Sequence, residues 1–284
     1  MKSICVLDAC SIINLIYIDI ENGNDFLLKK LEDYYRLYIS EKVLEEIKKN
    51  AYSGSWKKVD DRMDIERKIA YFRNFIKPDE IIKKDSGRDF FNMVERLANY
   101  KKKNGEFYST ALSLHLSRGN LSPVTFYTDD KPAEGHFSSF FRVQQIGKVE
   151  DSIDLLILLY WSNRDFRKKE LENLLSELYS KYAVSVKDLL SYIRKYKNSR
   201  KPQEIKRIKR SLDELEFKLD TLDFSGIKEI RRYILKHSRQ HPGLCGKVKE
   251  YRDVFELDYE KNKDILTRIR QALENVRKNR IYKN

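Results

Sequence analysis

The spacing of apolar and polar positions switches between strand and helix periods up to Asn163 and keeps a helical period after it. Residues 3–8 open as a short continuous apolar run, Ile4-Cys5-Val6-Leu7, that reads as a buried strand ending at Asp8. Ser11 is placed to cap a helix carrying Ile12, Ile13, Leu15 and Ile16. A second helix fits residues 25–36, where Phe26, Leu27, Leu31 and Tyr34 recur at helical spacing, and Leu37-Tyr38-Ile39 follows as a second strand. Ser40 then caps a helix whose inner face is Val43, Leu44 and Ile47.

Residues 50–104 are lysine-rich and read as largely helical, with Ile65, Ile69, Phe72, Phe75 and Ile76 on one stripe and a break at Pro78. Phe90, Phe91, Val94 and Leu97 form another stripe that Gly105 is expected to stop. A helix at 106–117 carries Ala111, Leu112 and Leu114. Strands are expected at 124–127, after Pro123, and at 142–146, and Asp151 or Ser152 caps an apolar helix through Trp161. This alternation over about 160 residues predicts an α/β domain with a mainly parallel sheet and flanking helices.

After Asn163 only helical periodicity remains. Ser185 and Asp188 match a capping box, and Asn198-Ser199-Arg200-Lys201-Pro202 reads as a linker. Ile205, Ile208, Leu212, Leu215, Leu219 and Leu222 then alternate by three and four, a heptad seam. A shorter seam, Leu266, Ile269, Leu273 and Val276, lies beyond the turn signal His241-Pro242-Gly243, so an antiparallel hairpin or a homodimer is expected. The sequence thus divides into an α/β domain at 1–164 and an all-α region at 165–284.

Charge sharpens that division. Residues 165–284 hold 31 Lys and Arg against 19 Asp and Glu, net +12 of the chain's +13. Such asymmetry points to a polyanion, and nucleic acid fits better than a membrane, because no apolar anchor face accompanies the basic run. The densest cluster contains Arg200, Lys201, Lys206, Arg207 and Arg210. On a helical seam Lys206, Arg207 and Arg210 lie on the outer face, suited to a nucleic-acid backbone with Tyr192 and Tyr196 near for stacking; a solvated coiled-coil exterior explains the same charges. Three cysteines, an odd number, suit buried thiols in a reducing cytosol. Asp8 interrupts the only stretch that resembles an export signal, and the run from Leu155 to Trp161 is too short to span a bilayer. A cytoplasmic protein is expected.

Four acidic positions carry the candidate chemistry. Asp8 ends a buried strand, where a carboxylate is costly unless solvated, paired or holding a cation, and open α/β sheets bind ligands at the carboxyl ends of their strands. Glu46 closes the helix after the second strand, Glu106 opens a helix after Gly105, and Asp129-Asp130 follow the strand ending at Thr128. These motifs, Val6-Leu7-Asp8-Ala9-Cys10-Ser11, Leu44-Glu45-Glu46-Ile47, Gly105-Glu106 and Tyr127-Thr128-Asp129-Asp130-Lys131, resemble a PIN-domain nuclease over residues 1 to about 150. The resemblance implies that Asp8, Glu46, Glu106 and Asp130 bind metal, with Asp129 as alternate for the fourth. Glu45 points elsewhere, being about 100° round the helix from Glu46. One departure stands out: Cys10 occupies a place where the family often has Ser, Thr or Asn, so Ser11 substitutes or the supporting contact is lost.

Hydrolysing a phosphodiester needs an activated water and stabilisation of the leaving oxygen, which hard Mg²⁺ or Mn²⁺ held by oxygen ligands supplies. The expected activity is a metal-dependent ribonuclease, toxin-like or antiviral, with Lys131 neutralising phosphate charge and a small antitoxin-like inhibitor as a further partner. A structure-selective DNA nuclease and a noncatalytic RNA-binding or assembly protein are the alternatives. His136, six residues past Asp130, is a candidate to contact a substrate phosphate, His115 reads as a packing residue, and His237, His241 and Cys245 lack the fourth ligand a structural zinc would need.

Overall fold

The computed structural model describes residues 2–21, 27–50, 61–78, 82, 89–255 and 257–281. Two compact units emerge, one of Met1–Leu178 with Ala272–Asn284 and one of Tyr179–Gln271. Their limits, at 178–179 and 271–272, fall within helices rather than at residue 164.

The first unit is built on a five-stranded sheet in the order β3-β2-β1-β4-β5, parallel throughout. Its strands are β1 (Ser3–Leu7), β2 (Tyr35–Ser40), β3 (Ile76–Lys77), β4 (Val124–Tyr127) and β5 (Gly147–Glu150). β1 is central and its last four residues are buried, as a strand covered on both faces must be. Helices α1 (Ala9–Glu21), α2 (Leu27–Tyr34), α3 (Glu41–Asn50), α4 (Asp61–Phe72), α5 (Phe90–Leu97), α6 (Gly105–Asn120), α7 (Lys131–Val143) and α8 (Ser152–Ser162) connect and flank the strands. Ile4, Val6, Phe107, Leu112, Phe126 and Phe141 join one core. The alternating α/β order and parallel sheet agree with the sequence.

Several local expectations are corrected. α1 begins at Ala9 rather than being capped by Ser11, since Ile12 N donates to Asp8 O at 3.0 Å and the chain turns helical directly from the strand. Ile65, Ile69 and Phe72 are buried, but Phe75 and Ile76 leave the helix for a 3-10 turn and β3. Gly105 opens α6 instead of stopping the previous helix, which ends at Leu97 with Asn99 left-handed at φ 51°. Residues 142–146 are the end of α7 and a turn, not a strand; Phe137, Phe140 and Phe141 hold that helix to the core while Val143 is 74% exposed. Asp151, not Ser152, caps α8, through a capping box with Asp154. Parts of the lysine-rich stretch, 51–60, 79–81 and 83–88, and Asp25 and Phe26 of the second expected helix, lie outside the described residues.

The described residues from 152 onward are helices and turns: α9 (Lys168–Asn198), α10 (Lys209–Thr221), α11 (Ile227–Lys236), α12 (Pro242–Glu250), α13 (Arg252–Phe255) and α14 (Leu257–Arg277). The expected capping box at Ser185 lies inside α9, where buried Ala183, Val186, Leu189 and Ile193 carry the helix through it. Ile205 and Ile208 are buried but belong to turns, closed by Glu204 N to Lys201 O and Ile208 N to Ile205 O, each at 2.9 Å. The heptad spacing therefore continues across a stretch that is not helix. Leu212, Leu215, Leu219 and Leu266 share one core with Ile230, Ile234, Leu244 and Val248, so the seams enter a several-helix cluster rather than a two-helix hairpin. No helix among the described residues is long and apolar enough to cross a membrane.

Candidate functional site

Strand register builds the site. Leu7 pairs with Tyr127 across β1 and β4, and Asp8 N donates to Tyr127 O at 3.0 Å, so Asp8 and Thr128 leave the sheet side by side. β1 has β2 on one side and β4 on the other, the kind of position where parallel sheets open a crevice for ligands. Thr128 Oγ1 donates to Asp8 Oδ2 at 3.0 Å and Cys10 Sγ to the same oxygen at 3.2 Å. The thiol thus makes the contact for which it seemed a poor substitute, and Thr128 reinforces it. Asp8 Oδ1 is left buried with no donor among the described residues.

Glu46 arrives from α3. Its Oε1 accepts from Gly105 N at 2.8 Å, which seats a carboxylate on the positive end of α6. A Cβ at Gly105 would collide with Glu46 Oε2 and stand 3.0 Å from Asp8 Oδ1, so both carboxylates converge on the space above this glycine. Glycine is needed here for close approach. We expect Gly105→Ala to keep its fold, because the obstructing atom ends a flexible side chain, and to turn the Glu46 carboxylate off the Gly105 amide. The melting temperature and a crystal structure of the variant check this.

Glu106 lies in the first turn of the same helix, and its Oε2 is also buried without a donor among the described residues. Burial raises its carboxyl to about 8, with the charge of Asp8 next and those of Asp130 and Glu46 adding. Burial likewise raises Asp8 to about 6, helped by Glu46 and opposed by the hydrogen bonds from Cys10, the Ala9 amide and Thr128. The four acids therefore sense one another. As they stand, no three metal-ligating side chains among the described residues are close enough together to hold an ion. Like charges with nothing between them repel, and a bound cation would draw their oxygens inward.

The remaining positions divide. Asp130 caps α7, its Oδ1 accepting from Ala133 N at 3.2 Å, and faces Glu106 electrostatically. Asp129 is differently placed: its oxygens accept from Ser152 N at 2.8 Å, Ser11 Oγ at 3.4 Å, Asn14 Nδ2 and Ser152 Oγ. It ties β4 to α1 and α8, and Ser11 serves it rather than Asp8. Lys131 is held by Asp151 at 3.2 Å and by Glu134. Glu45 is exposed and pairs with Lys42, away from Glu46.

A rim that composition alone did not flag borders the acids. Tyr100 Oη accepts from Asn104 Nδ2 at 3.1 Å, and its phenol is raised by burial and by the charges of Glu106, Asp130 and Asp8. Its ring packs against His136 and Phe137 at 5.0 and 4.7 Å. His136 is bonded through Nε2 to Ala98 O at 2.7 Å. Lys101 and Lys102 follow, exposed and without an ion-pair partner among the described residues, whereas Lys103 pairs with Glu95. The signal was legible as Tyr-Lys-Lys-Lys-Asn-Gly-Glu leading into Glu106. His115 is buried against Phe90, as a packing residue.

Within the second unit, Lys201, Lys206, Arg207 and Arg210 are exposed, and Arg200 pairs with Glu204 at 3.6 Å and lies over the Tyr196 ring. Tyr196 is closed to a base: it is buried, its ring stacks on Tyr192 at 6.1 Å and its hydroxyl is hydrogen-bonded with His241 Nδ1 at 2.9 Å. Cys245 Sγ donates to Ile234 O at 3.3 Å. His241 and Cys245 are thus engaged locally, in keeping with helix-end roles, and all three cysteines are free thiols.

Two buried carboxylate oxygens with no donor among the described residues, Asp8 Oδ1 and Glu106 Oε2, thus belong to a set of four acids around a glycine whose missing Cβ lets Glu46 and Asp8 approach. No family model matches the chain, and neither a curated protein nor a solved structure matches it.

Proposed function

We propose that this protein is a Mg²⁺- or Mn²⁺-dependent endoribonuclease with a PIN-like first unit. The observation that carries the reading is the pair of buried oxygens with no donor among the described residues, Asp8 Oδ1 and Glu106 Oε2, among four acids at the carboxyl edge of a parallel sheet. Leaving carboxylate oxygens buried and unsatisfied costs a fold several kcal/mol by typical magnitudes, on the order of 1–3 each, which a cation ligand offsets.

Asp8, Glu46, Glu106 and Asp130 would hold the ion, with Asp129 outside the set because its oxygens are engaged. When bound, a divalent cation makes a water nucleophilic near neutral pH and stabilises charge on the leaving oxygen. Thr128 and Cys10 grip one oxygen of Asp8 so that the other faces inward. The Gly105 amide fixes Glu46. Exposed Lys101 and Lys102, which lead into α6, would meet RNA phosphates, a role that ion-paired Lys131 would not fill.

A toxin-like or antiviral role, with a small inhibitor protein as partner, is compatible with this activity. Labelled RNA and DNA incubated with Mn²⁺ or with EDTA test it. Cation-dependent cleavage of RNA supports the proposal; cleavage of DNA alone, or tight RNA binding without cleavage, overturns it. With both rim lysines changed, Lys101→Ala and Lys102→Ala, steady-state kinetics should show KM raised about three- to tenfold and kcat nearly unchanged, as expected for a contact made equally in ground and transition states.

A further inference from the structure

We propose that the second unit carries its own RNA-docking surface, formed by the basic turn at 201–210 and the exposed Tyr233 ring beside half-buried His237, and that it selects single strands. This takes from the proposed function only that the polyanion is RNA.

Several basic residues elsewhere in this unit are matched. Arg194 pairs with Glu216 and Asp220, Lys197 with Asp213 and Glu216, Lys218 with Asp223, Arg232 with Glu229 and Lys247 with Glu250. Lys201, Lys206, Arg207, Lys209 and Arg210 have no such partner among the described residues, and all five are exposed. A salt-bridged helical exterior explains the paired charges; five exposed cations without such a partner between 201 and 210 form a different pattern. Lys209 and Arg210 also sit in the first turn of α10, where the helix dipole disfavours cations, so local folding energetics do not account for them.

Packing joins the turn to a stacking platform. Tyr233 Oη donates to Arg207 O at 3.1 Å, fixing α11 against the turn. The Tyr233 ring is 41% exposed and lies 5.0 Å from the His237 ring at 60°. Lysine and arginine beside an exposed aromatic face is the combination that holds an unpaired strand, phosphates on the cations and a base on the ring. A duplex hides its base faces and gains nothing from Tyr233.

The test uses full-length protein carrying Asp8→Asn, in EDTA, with fluorescein-labelled 20-nucleotide RNA as single strand or duplex, read by anisotropy across a KCl series. The quadruple change Lys206→Ala, Arg207→Ala, Lys209→Ala and Arg210→Ala, all at exposed positions, should weaken single-strand binding at least tenfold. It should also lower the slope of log Kd against log salt by about 3. Tyr233→Ala should weaken single-strand binding about fivefold or more and leave duplex binding unchanged, while Tyr233→Phe, which keeps the ring, stays near the parent. Unaltered affinity and salt slope in the quadruple variant overturn the inference, as does equal loss for single strand and duplex with Tyr233→Ala. Wild-type protein that binds RNA through this surface yet never cuts it overturns the proposed function and leaves this surface standing. Cleavage with undiminished affinity in the quadruple variant does the reverse.

Discussion

Asp8→Asn is expected to reduce RNA cleavage by about 10³-fold or more, while raising the melting temperature of the cation-free protein. The two effects share one cause. Asp8 is 2% exposed, and burial lifts its carboxyl from 3.8 to about 6, so at pH 8 the folded protein holds an ionised carboxylate it would rather protonate. Because the folded value is raised, this group's contribution to stability is full below pH 3.8 and lost as pH rises through 6. Asparagine is neutral at every pH, keeps the shape, and still presents an oxygen to Thr128 and Cys10. It therefore relieves a penalty on the order of 1–3 kcal/mol at pH 8, or roughly 2–8 °C in Tm for a chain of this size. Cleavage moves the other way, since an amide is a weak ligand for a hard cation and about 4 kcal/mol of lost transition-state stabilisation corresponds to a thousandfold. A variant that is both inactive and destabilised would mean that Asp8 is a structural residue.

Between pH 8 and pH 6 the apparent Mn²⁺ affinity should fall by about 10²-fold. Glu106 is raised to about 8 by burial first and by Asp8, Asp130 and Glu46 after it, and Asp8 to about 6, so both carry protons that a cation must displace. One proton is displaced between pH 8 and 6 and a second below 6, so log Kd changes by about one and then about two per pH unit. Calorimetry in two buffers of different ionisation enthalpy counts these protons directly. Glu106→Gln should flatten the profile from 8 to 6 and leave a limb of about one per pH unit below it. Affinity independent of pH over this range would show that the ion binds elsewhere.

Much of this geometry can be read along the chain, and what cannot has physical reasons. Asp8 is conspicuous because four apolar residues precede it, and Glu46, Glu106 and Asp130 follow elements whose periodicity is plain. The convergence of Glu46 on Gly105 is not visible, because it joins residues 59 positions apart. Gly105 looks like a helix stop since glycine serves both ends, and only packing decides. Asp129 and Asp130 are adjacent and chemically alike; the chain's path out of β4 sends one into Ser11 and Ser152 and the other to the cap of α7. β5, Gly-Lys-Val-Glu, is an edge strand whose polar alternation carries little signal, so the apolar residues just before it drew the strand assignment. The 201–208 turns imitate a heptad because Ile205 and Ile208 are anchored in the same core as Leu212, and spacing records burial rather than backbone conformation.

Anomalous scattering from a crystal soaked in Mn²⁺ tests the four-acid site most directly. The account predicts a manganese peak between Asp8 Oδ1 and the carboxylates of Glu46, Glu106 and Asp130, with at least two carboxylate oxygens at about 2 Å. A map with no peak there, at a Mn²⁺ concentration that supports cleavage, would contradict it.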